Sequence, residues 1–483
     1  MYDQFNPNYY VNLEDDSAMI QAAVDAAAAV GEAVTIPRHN ERTGEDMWHI
    51  CRSIQLHTGS VVYLDNCHLR QVDLMDCNIF RNSNNGTPLG FTREGRQYNI
   101  TIEGIGNCIL DGGKTTGVTE ENFAEAGMLG AQEESVFYFM NVENVKINNF
   151  HIRNYRYWAA VFYYSSHVQF RNIDFYGPWQ WRNQDGIDLR NGCSHFLIEN
   201  LTGALGDDVV ALSDLMNYRQ EKMLSCGYDD SIHNIIVQNV RCATTHSFVR
   251  ILNHGGRKIY NVLIQNCMID CESDPTDDRI CPGATPTPTS NGYNWIHPER
   301  DRPQDYSIRI NTFDFYHRDP CGHAQLGDTS NITIRNLTCR GLAGVCLACT
   351  AQDVLLENIR MFGKGLSAVY FAQGPMRNIQ VRDVYYSENC KTYDEWDDRL
   401  MECEKEGNND KDLANFPERQ LCAVYFKDSD VENATFRNIH AGKNLNCVFG
   451  GYGHARVTCE GLTKANPDIP DNAGIGDIQV EVK

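Results

Sequence analysis

Proline is scarce in this chain, with 15 among 483 residues, and the composition of 42% apolar and 22% charged residues is that of a globular protein. That excludes a collagen-like or disordered chain and leaves ample apolar material for a core. No run reaches the roughly 18 apolar residues that a membrane-spanning helix requires. The most apolar helical stretch, Ala18 to Val34, is interrupted by Asp25 and Glu32. Basic residues are also in deficit: 42 Lys+Arg stand against 64 Asp+Glu, a net charge of −22. General attraction to nucleic acid or to an acidic membrane surface is therefore excluded as a function class, and an anionic substrate would need a local basic pocket. The opening MYDQFNPNYYVNLEDDSAM has neither the basic nor the apolar region of a signal peptide, so the expectation is a cytoplasmic protein.

The 19 cysteines are numerous and odd in number, yet they lack the paired CxxC spacing of a zinc site, since Cys346-Leu-Ala-Cys349 has no second such pair. Several, including Cys242, Cys267 and Cys339, occupy apolar-type positions in strand-like segments, which predicts small reduced core residues and no metal or other cofactor. The sequons at Asn200 and Asn331 fall inside strand patterns, where a glycan would not fit.

What the chain does have is a repeat. One phrase recurs nine times, as NVKINNF (144–150), HVQFRNI (167–173), HFLIENL (195–201), NIIVQNV (234–240), NVLIQNC (261–267), NITIRNL (331–337), DVLLENI (353–359), NIQVRDV (378–384) and NATFRNI (433–439). Its penultimate residue is Asn149, Asn172, Asn200, Asn239, Asn266, Asn336, Asn358, Asp383 and Asn438, most often 22–28 residues apart. Each copy alternates apolar and polar residues, the pattern of a short strand with one buried face. So short a strand cannot bury that face alone, whereas stacking copies at about 4.8 Å closes a continuous core. Asparagine suits a recurring turn because it tolerates left-handed backbone angles and its amide can bond the next rung.

These features predict an all-β fold: a parallel β-helix, one solenoid domain over residues 1–483. Asp15 to Ile36 reads as a capped amphipathic helix followed by a strand, within an N-terminal cap of about residues 1–40 that covers the open end of the core. The long intervals place insertions at about 214–231, 271–306 and 389–420, suited to walling a binding face or to contacting a second copy.

Two consecutive rungs carry acid pairs, Asn183-Gln-Asp-Gly-Ile-Asp188 and Gly206-Asp-Asp-Val-Val-Ala-Leu212. With Ile187, Leu189, Val210 and Leu212 inward, Asp188 faces outward, and Asp185, Asp207 and Asp208 converge on one outer surface. Like charges that close raise one another's pKa, so one acid stays protonated while another stays ionised. Glycoside hydrolysis needs that division: an acid for the leaving oxygen and a base for water. The aromatic residues Tyr157, Trp158, Trp179 and Trp181 flank the acids, and their flat rings suit either sugar faces or packing. A second acidic run, Tyr228-Asp-Asp230, reads as the solvated part of a loop.

On these motifs the chain resembles the polygalacturonase family, glycoside hydrolase family 28, whose members are right-handed single-stranded parallel β-helices and inverting hydrolases. The Asn-Thr-Asp motif appears as Asn183-Gln184-Asp185, and Gly-Asp-Asp is intact at Gly206-Asp207-Asp208. The resemblance implies that Asp207 is the general acid and that Asp185 and Asp208 hold the attacking water. It matches the Gly-His-Gly segment to Thr245-His246-Ser247, which makes His246 the supporting histidine, with His254 as the other candidate. The Arg-Ile-Lys motif corresponds to Arg309-Ile310-Asn311, so the lysine that helps to read a uronate carboxylate is absent; Arg250, outward between Val249 and Ile251, restores a cation on that face.

The expected function is thus inverting, exo-acting hydrolysis of pectin-type or related oligosaccharides. Asp185, Asp207, Asp208 and His246 are the expected catalytic residues; Asn183, Arg250, Arg309, Asn311, Trp179 and Trp181 are the expected substrate contacts. A polysaccharide lyase using Arg250 or Arg309, and a carbohydrate-binding β-helix without catalysis, are the alternatives.

Overall fold

A computed structural model of the chain describes residues 3–113, 134–177, 183–214, 218–244, 247–253, 257–269, 304–310, 324–339, 341–348, 350–362, 367–386 and 421–483. Within them, strands pair in parallel from coil to coil to form a right-handed single-stranded parallel β-helix. Each coil in the region of the acid pairs contributes a short strand, such as Ala160–Tyr163, Ile187–Leu189 or Val210–Asp214, and a longer one, such as Ser166–Tyr176, Ser194–Leu205 or Ile232–Thr244. The longer strands carry the repeated phrase.

The phrase contains two corners. All nine penultimate residues adopt left-handed angles, with φ between 54° and 66°, and so do the nine residues that open the phrase, from Asn144 (59°) to Asn433 (57°). The backbone thus turns twice within each copy, five residues apart. Asparagine and aspartate accept this conformation at lower cost than other residues with a Cβ. Their side chains then bond from coil to coil: the Asn239 amide donates to Asn200 Oδ1 at 3.1 Å, Asn266 to Asn239 at 3.1 Å, Asn336 to Asn266 at 3.0 Å and Asn358 to Asn336 at 2.9 Å. The Asn200 and Asn331 amides are both spent in such ladders. Where the phrase opens with histidine, the rings of His167 and His195 stack at 4.6 Å instead.

Inside, alternation places one residue type above its like. Ile187, Val210, Val249 and Ile308 are in register, as are Leu189, Leu212, Ile251 and Ile310, and all eight are buried. Aromatic pairs such as Phe139–Phe162 (5.5 Å) and Phe371–Phe426 (5.1 Å) stack in the same way. Cys242, Cys267 and Cys339 fill core positions, and no disulfide joins the described cysteines.

The N-terminal cap forms as the pattern indicates. Asp15 accepts a hydrogen bond from the Ala18 N–H at 2.8 Å, the helix runs Asp16–Val30, and Gly31 ends it at φ 75°. Met19, Ile20, Ala23, Val24 and Ala27 form its buried face.

The ladder makes a quantitative expectation. Asn266→Ala loses both the left-handed preference and two amide bonds, and costs about 1–3 kcal/mol in denaturant-induced unfolding. Asn266→Gly, which keeps the backbone freedom, costs less.

Candidate active site

The site lies where short strands begin. Asp185 precedes Ile187–Leu189 and Asp208 precedes Val210–Asp214, and backbone bonds stack these approaches: Ala159 N–H donates to the Asp185 carbonyl, Gly186 N–H to that of Asp208, and Val209 N–H to that of Ser247, each at 2.9 Å. Asp185 and Asp208 therefore occupy equivalent positions one coil apart, as their spacing of 23 residues requires. Gly186 is needed between them, since a Cβ there would lie 2.5 Å from the Val209 carbonyl oxygen. Gln184 is buried and anchors its turn by donating to the Tyr155 carbonyl at 2.6 Å, while Tyr155 Oη donates to the Gln184 carbonyl at 3.0 Å.

Asp185, Asp207 and Asp208 each place a carboxylate oxygen within 4.8 Å of the other two. Asp207 accepts from the Asn183 N–H at 3.2 Å and the Asp208 N–H at 2.9 Å. Asp208 accepts from the Ser247 N–H at 3.1 Å and pairs with Arg250 Nη1 at 3.3 Å. Burial, with Asp207, Asp188 and Asp208 close by, holds the Asp185 carboxyl well above the ordinary carboxylate range. Carboxyls so close together disfavour one another's ionisation.

The neighbouring outward column runs Val161, Asp188, Ala211, Arg250, Arg309 across five coils. Arg250 and Arg309 thus stand side by side, next to the acids, as the alternation indicated. Burial pushes Asp188 well up; Arg190 pulls it back, and Asp208 and Asp207 raise it further. Trp158 is buried with Tyr157, Val161, Tyr163 and Tyr164 in an apolar cluster on this outer side of the coils. His246, His254, Asn311, Trp179 and Trp181, and most of the insertions 271–306 and 389–420, lie outside the described residues.

One reading is corrected. Tyr228-Asp-Asp230 is solvated only in part: Asp229 is exposed, but Asp230 is buried, pairs with Arg257 Nε at 2.9 Å and accepts from Gln220, and Tyr228 Oη donates to Asn141 Oδ1 at 2.7 Å. The helix Tyr218–Ser225 in this insertion supplies Gln220, which holds Asp230 inward. Sequence reasoning also passed over Asp214, whose carboxylate accepts from Asn191 and Gln220, and Arg190, which shares the outward alternation of Asp188 and was visible by that signal.

Comparisons with known proteins bear on the family and the fold. The sequence model described as Glycosyl hydrolases family 28 matches residues 89–369, which include both acid pairs, Arg250 and Arg309. The chain belongs to this family. A relative from Neosartorya fischeri named "Putative galacturan 1,4-alpha-galacturonidase C" is 26% identical over 199 residues, 40% of this chain and 43% of its own. A protein of the same name from Aspergillus niger is 26% identical over 172 residues, 33% of this chain and 36% of its own. The match thus spans less than half the length of either curated relative. Among solved structures, the family 28 exopolygalacturonase of Yersinia enterocolitica aligns over 98% of this chain and 78% of its own, with a TM-score of 0.51 at 13% identity. A tailspike protein double mutant of E. coli bacteriophage HK620, in complex with a pentasaccharide, aligns over 95% and 74%, with a TM-score of 0.53 at 11% identity. At those identities the two structures speak for the fold alone.

Asp214 provides a test of the electrostatics. Burial and the adjacent Asp230 push it up to about 8, against the pull of Arg257. A raised folded-state value means that its stabilising contribution is complete below the ordinary carboxylate pKa, near 4, and is lost as pH climbs through about 8. Unfolding followed from pH 4 to 8 should show stability falling, and Asp214→Asn, which mimics the protonated form, should shrink that fall by roughly 1–3 kcal/mol.

Proposed function

We propose that this family 28 chain hydrolyses glycosidic bonds of pectin-type oligosaccharides by inversion, acting from chain ends. The observation that carries the reading is the trio of Asp185, Asp207 and Asp208, in register on adjacent coils with oxygens within 4.8 Å of one another. Asp207 delivers a proton to the leaving oxygen. Asp208, beside Arg250, stays ionised and with Asp185 positions the water. The trio is tighter than the roughly 6.5–9.5 Å usual between an inverting pair, so the water sits across Asp185 and Asp208 instead of in a gap between acid and base.

After bond cleavage the base side holds water's proton and Asp207 has lost its own. Movement of that proton from the base side to Asp207 restores the starting state. The names of the curated relatives, both galacturonidases, and of the Yersinia enterocolitica exopolygalacturonase support a galacturonate-type substrate and end-wise action.

The adjacency of Arg250 and Arg309 is the one feature that favours a lyase, since arginine serves there as the base. The experiment separates the two. Oligogalacturonides are incubated with the protein while proton NMR follows the first anomer and ultraviolet absorbance follows any conjugated double bond. The expectation is the inverted anomer, monomer release, no unsaturated product, and a loss of about 10²–10⁴-fold in kcat for Asp207→Asn. Retention at the anomeric carbon sinks the inverting mechanism, and unchanged turnover in Asp207→Asn sinks the assignment of the acid.

A further inference from the structure

Asp430, Glu432 and His454 meet on the outer face of the last described coils, on strands well separated in the chain from Asp185, Asp207 and Asp208. The strand Cys422–Ala441 carries the two acids and Cys447–Lys464 carries the histidine. Asp430 is in register with His454, which is in register with Asp477 on Ile475–Val482. Glu432 follows Asp430 by two residues and so shares its face. One ligand atom from each of Asp430, Glu432 and His454 lies within 4.8 Å of the other two. A register shift between Val431 and Ala434 sets Glu432 and Asn433 against Arg456 alone, a bulge of the kind that re-aims a side chain.

The imidazole decides what this group can hold. His454 Nδ1 meets Asp477 Oδ2 at 3.0 Å, and Nε2 faces Glu432 Oε1 at 3.7 Å. With the ring proton directed at Asp477, Nε2 turns a lone pair toward a carboxylate, which repels unless a positive centre stands between them. A proton in that place would draw the two atoms to about 2.7–3.2 Å. Two ligands on one tetrahedral zinc, with bonds of about 2.0–2.2 Å, stand roughly 3.3–3.6 Å apart. The separation of 3.7 Å matches the ion better than the proton. A carboxylate on the far ring nitrogen is also the usual companion of a metal-bound histidine, because it fixes the tautomer and the ring orientation.

The surrounding charges leave room for a cation. Arg377 holds the other carboxylate oxygens, with Nη2 at 3.1 Å from Asp430 Oδ2 and Nε at 3.5 Å from Glu432 Oε2, and Arg456 pairs with Asp477 at 3.1 Å. Three carboxylates thus face two guanidiniums, and one negative charge is uncompensated. The His454 side chain is 32% exposed, so an ion reaches it from solvent. An imidazole ligand favours zinc over calcium or magnesium, which take oxygen.

We propose that Asp430, Glu432 and His454 bind one zinc ion, with Asp477 orienting the histidine and water in the fourth position. The ion clips the strand Cys422–Ala441 to Cys447–Lys464. Its role is to stabilise these coils, and it takes no part in hydrolysis.

Zinc chloride is titrated calorimetrically into the full chain after treatment with a chelator, and Tm is measured in parallel. Micromolar or tighter binding and a raised Tm are expected, with neither seen for calcium or magnesium at the same concentration. His454→Ala should remove both effects. Asp477→Asn, which keeps every ligand, should weaken zinc by about 10–100-fold, a change that an ion-pair network without a metal does not produce. No binding of zinc, an equal response to calcium, or binding undiminished in His454→Ala, as thiol-bound zinc would give, overturns the proposal. Should His454→Ala fail to fold, Glu432→Gln decides in the same way: a loss of affinity of at least about 10-fold supports the site, and unchanged affinity overturns it.

Discussion

The left-handed corner is the constraint on which the rest of this molecule depends. Two such corners, five residues apart, recur in each copy of the repeated phrase, and the amides at them bond from one coil to the next. They hold successive coils in register. In a strand, a slip of one residue sends every side chain to the opposite face. A slip between the coils of Asp185 and Asp208 would exchange Ile187 with Asp188 and dissolve the acid cluster into the core. The site is therefore as well defined as the ladder that aligns its coils, although the ladder lies on the longer strands and the acids precede the short ones.

That register lets the fold concentrate charge where isolated elements could not. Asp185, Asp188 and Asp208 are buried on neighbouring coils and repel one another, a cost that packing elsewhere along the solenoid must offset. The return is a group of carboxyls that resist ionising together, the condition under which an acid can hold its proton. Arg250 moderates the repulsion on one side. On the other, Asp214, Asp230 and Arg257 form a separate buried network held by the helix Tyr218–Ser225 through Gln220. The net charge of −22 thus has a partial location. An acidic surface would repel a polyanionic substrate.

Much of this could be read from the chain because alternation is a local signal. Ile187 and Leu189 inward imply Asp188 outward, and the same step carried on one residue further implies Arg190. The asparagine spacing announced the coil length and, through the glycines and acids, the alignment of Asp185 with Asp208. The loops obeyed no such rule. Asp230 meets an arginine 27 residues further on, Arg257, and Tyr228 reaches back to Asn141, so in a run that reads as solvated only Asp229 is exposed. Trp158, whose sequence context suits a sugar platform as well as packing, is enclosed by tyrosines and faced by Arg190.

The sequence by itself determined the solenoid, its capping helix, the inward and outward faces of each strand and the acids that share a surface, because periodicity and corner chemistry act within a few residues. Only the tertiary structure decided which charges lose contact with water and which remain unmatched. Burial and pairing depend on neighbours a full coil or more away. The same carboxyl sits at an ordinary pKa in solution and well above it once buried beside Asp207, and the same guanidinium is ordinary until two aromatic rings close on it.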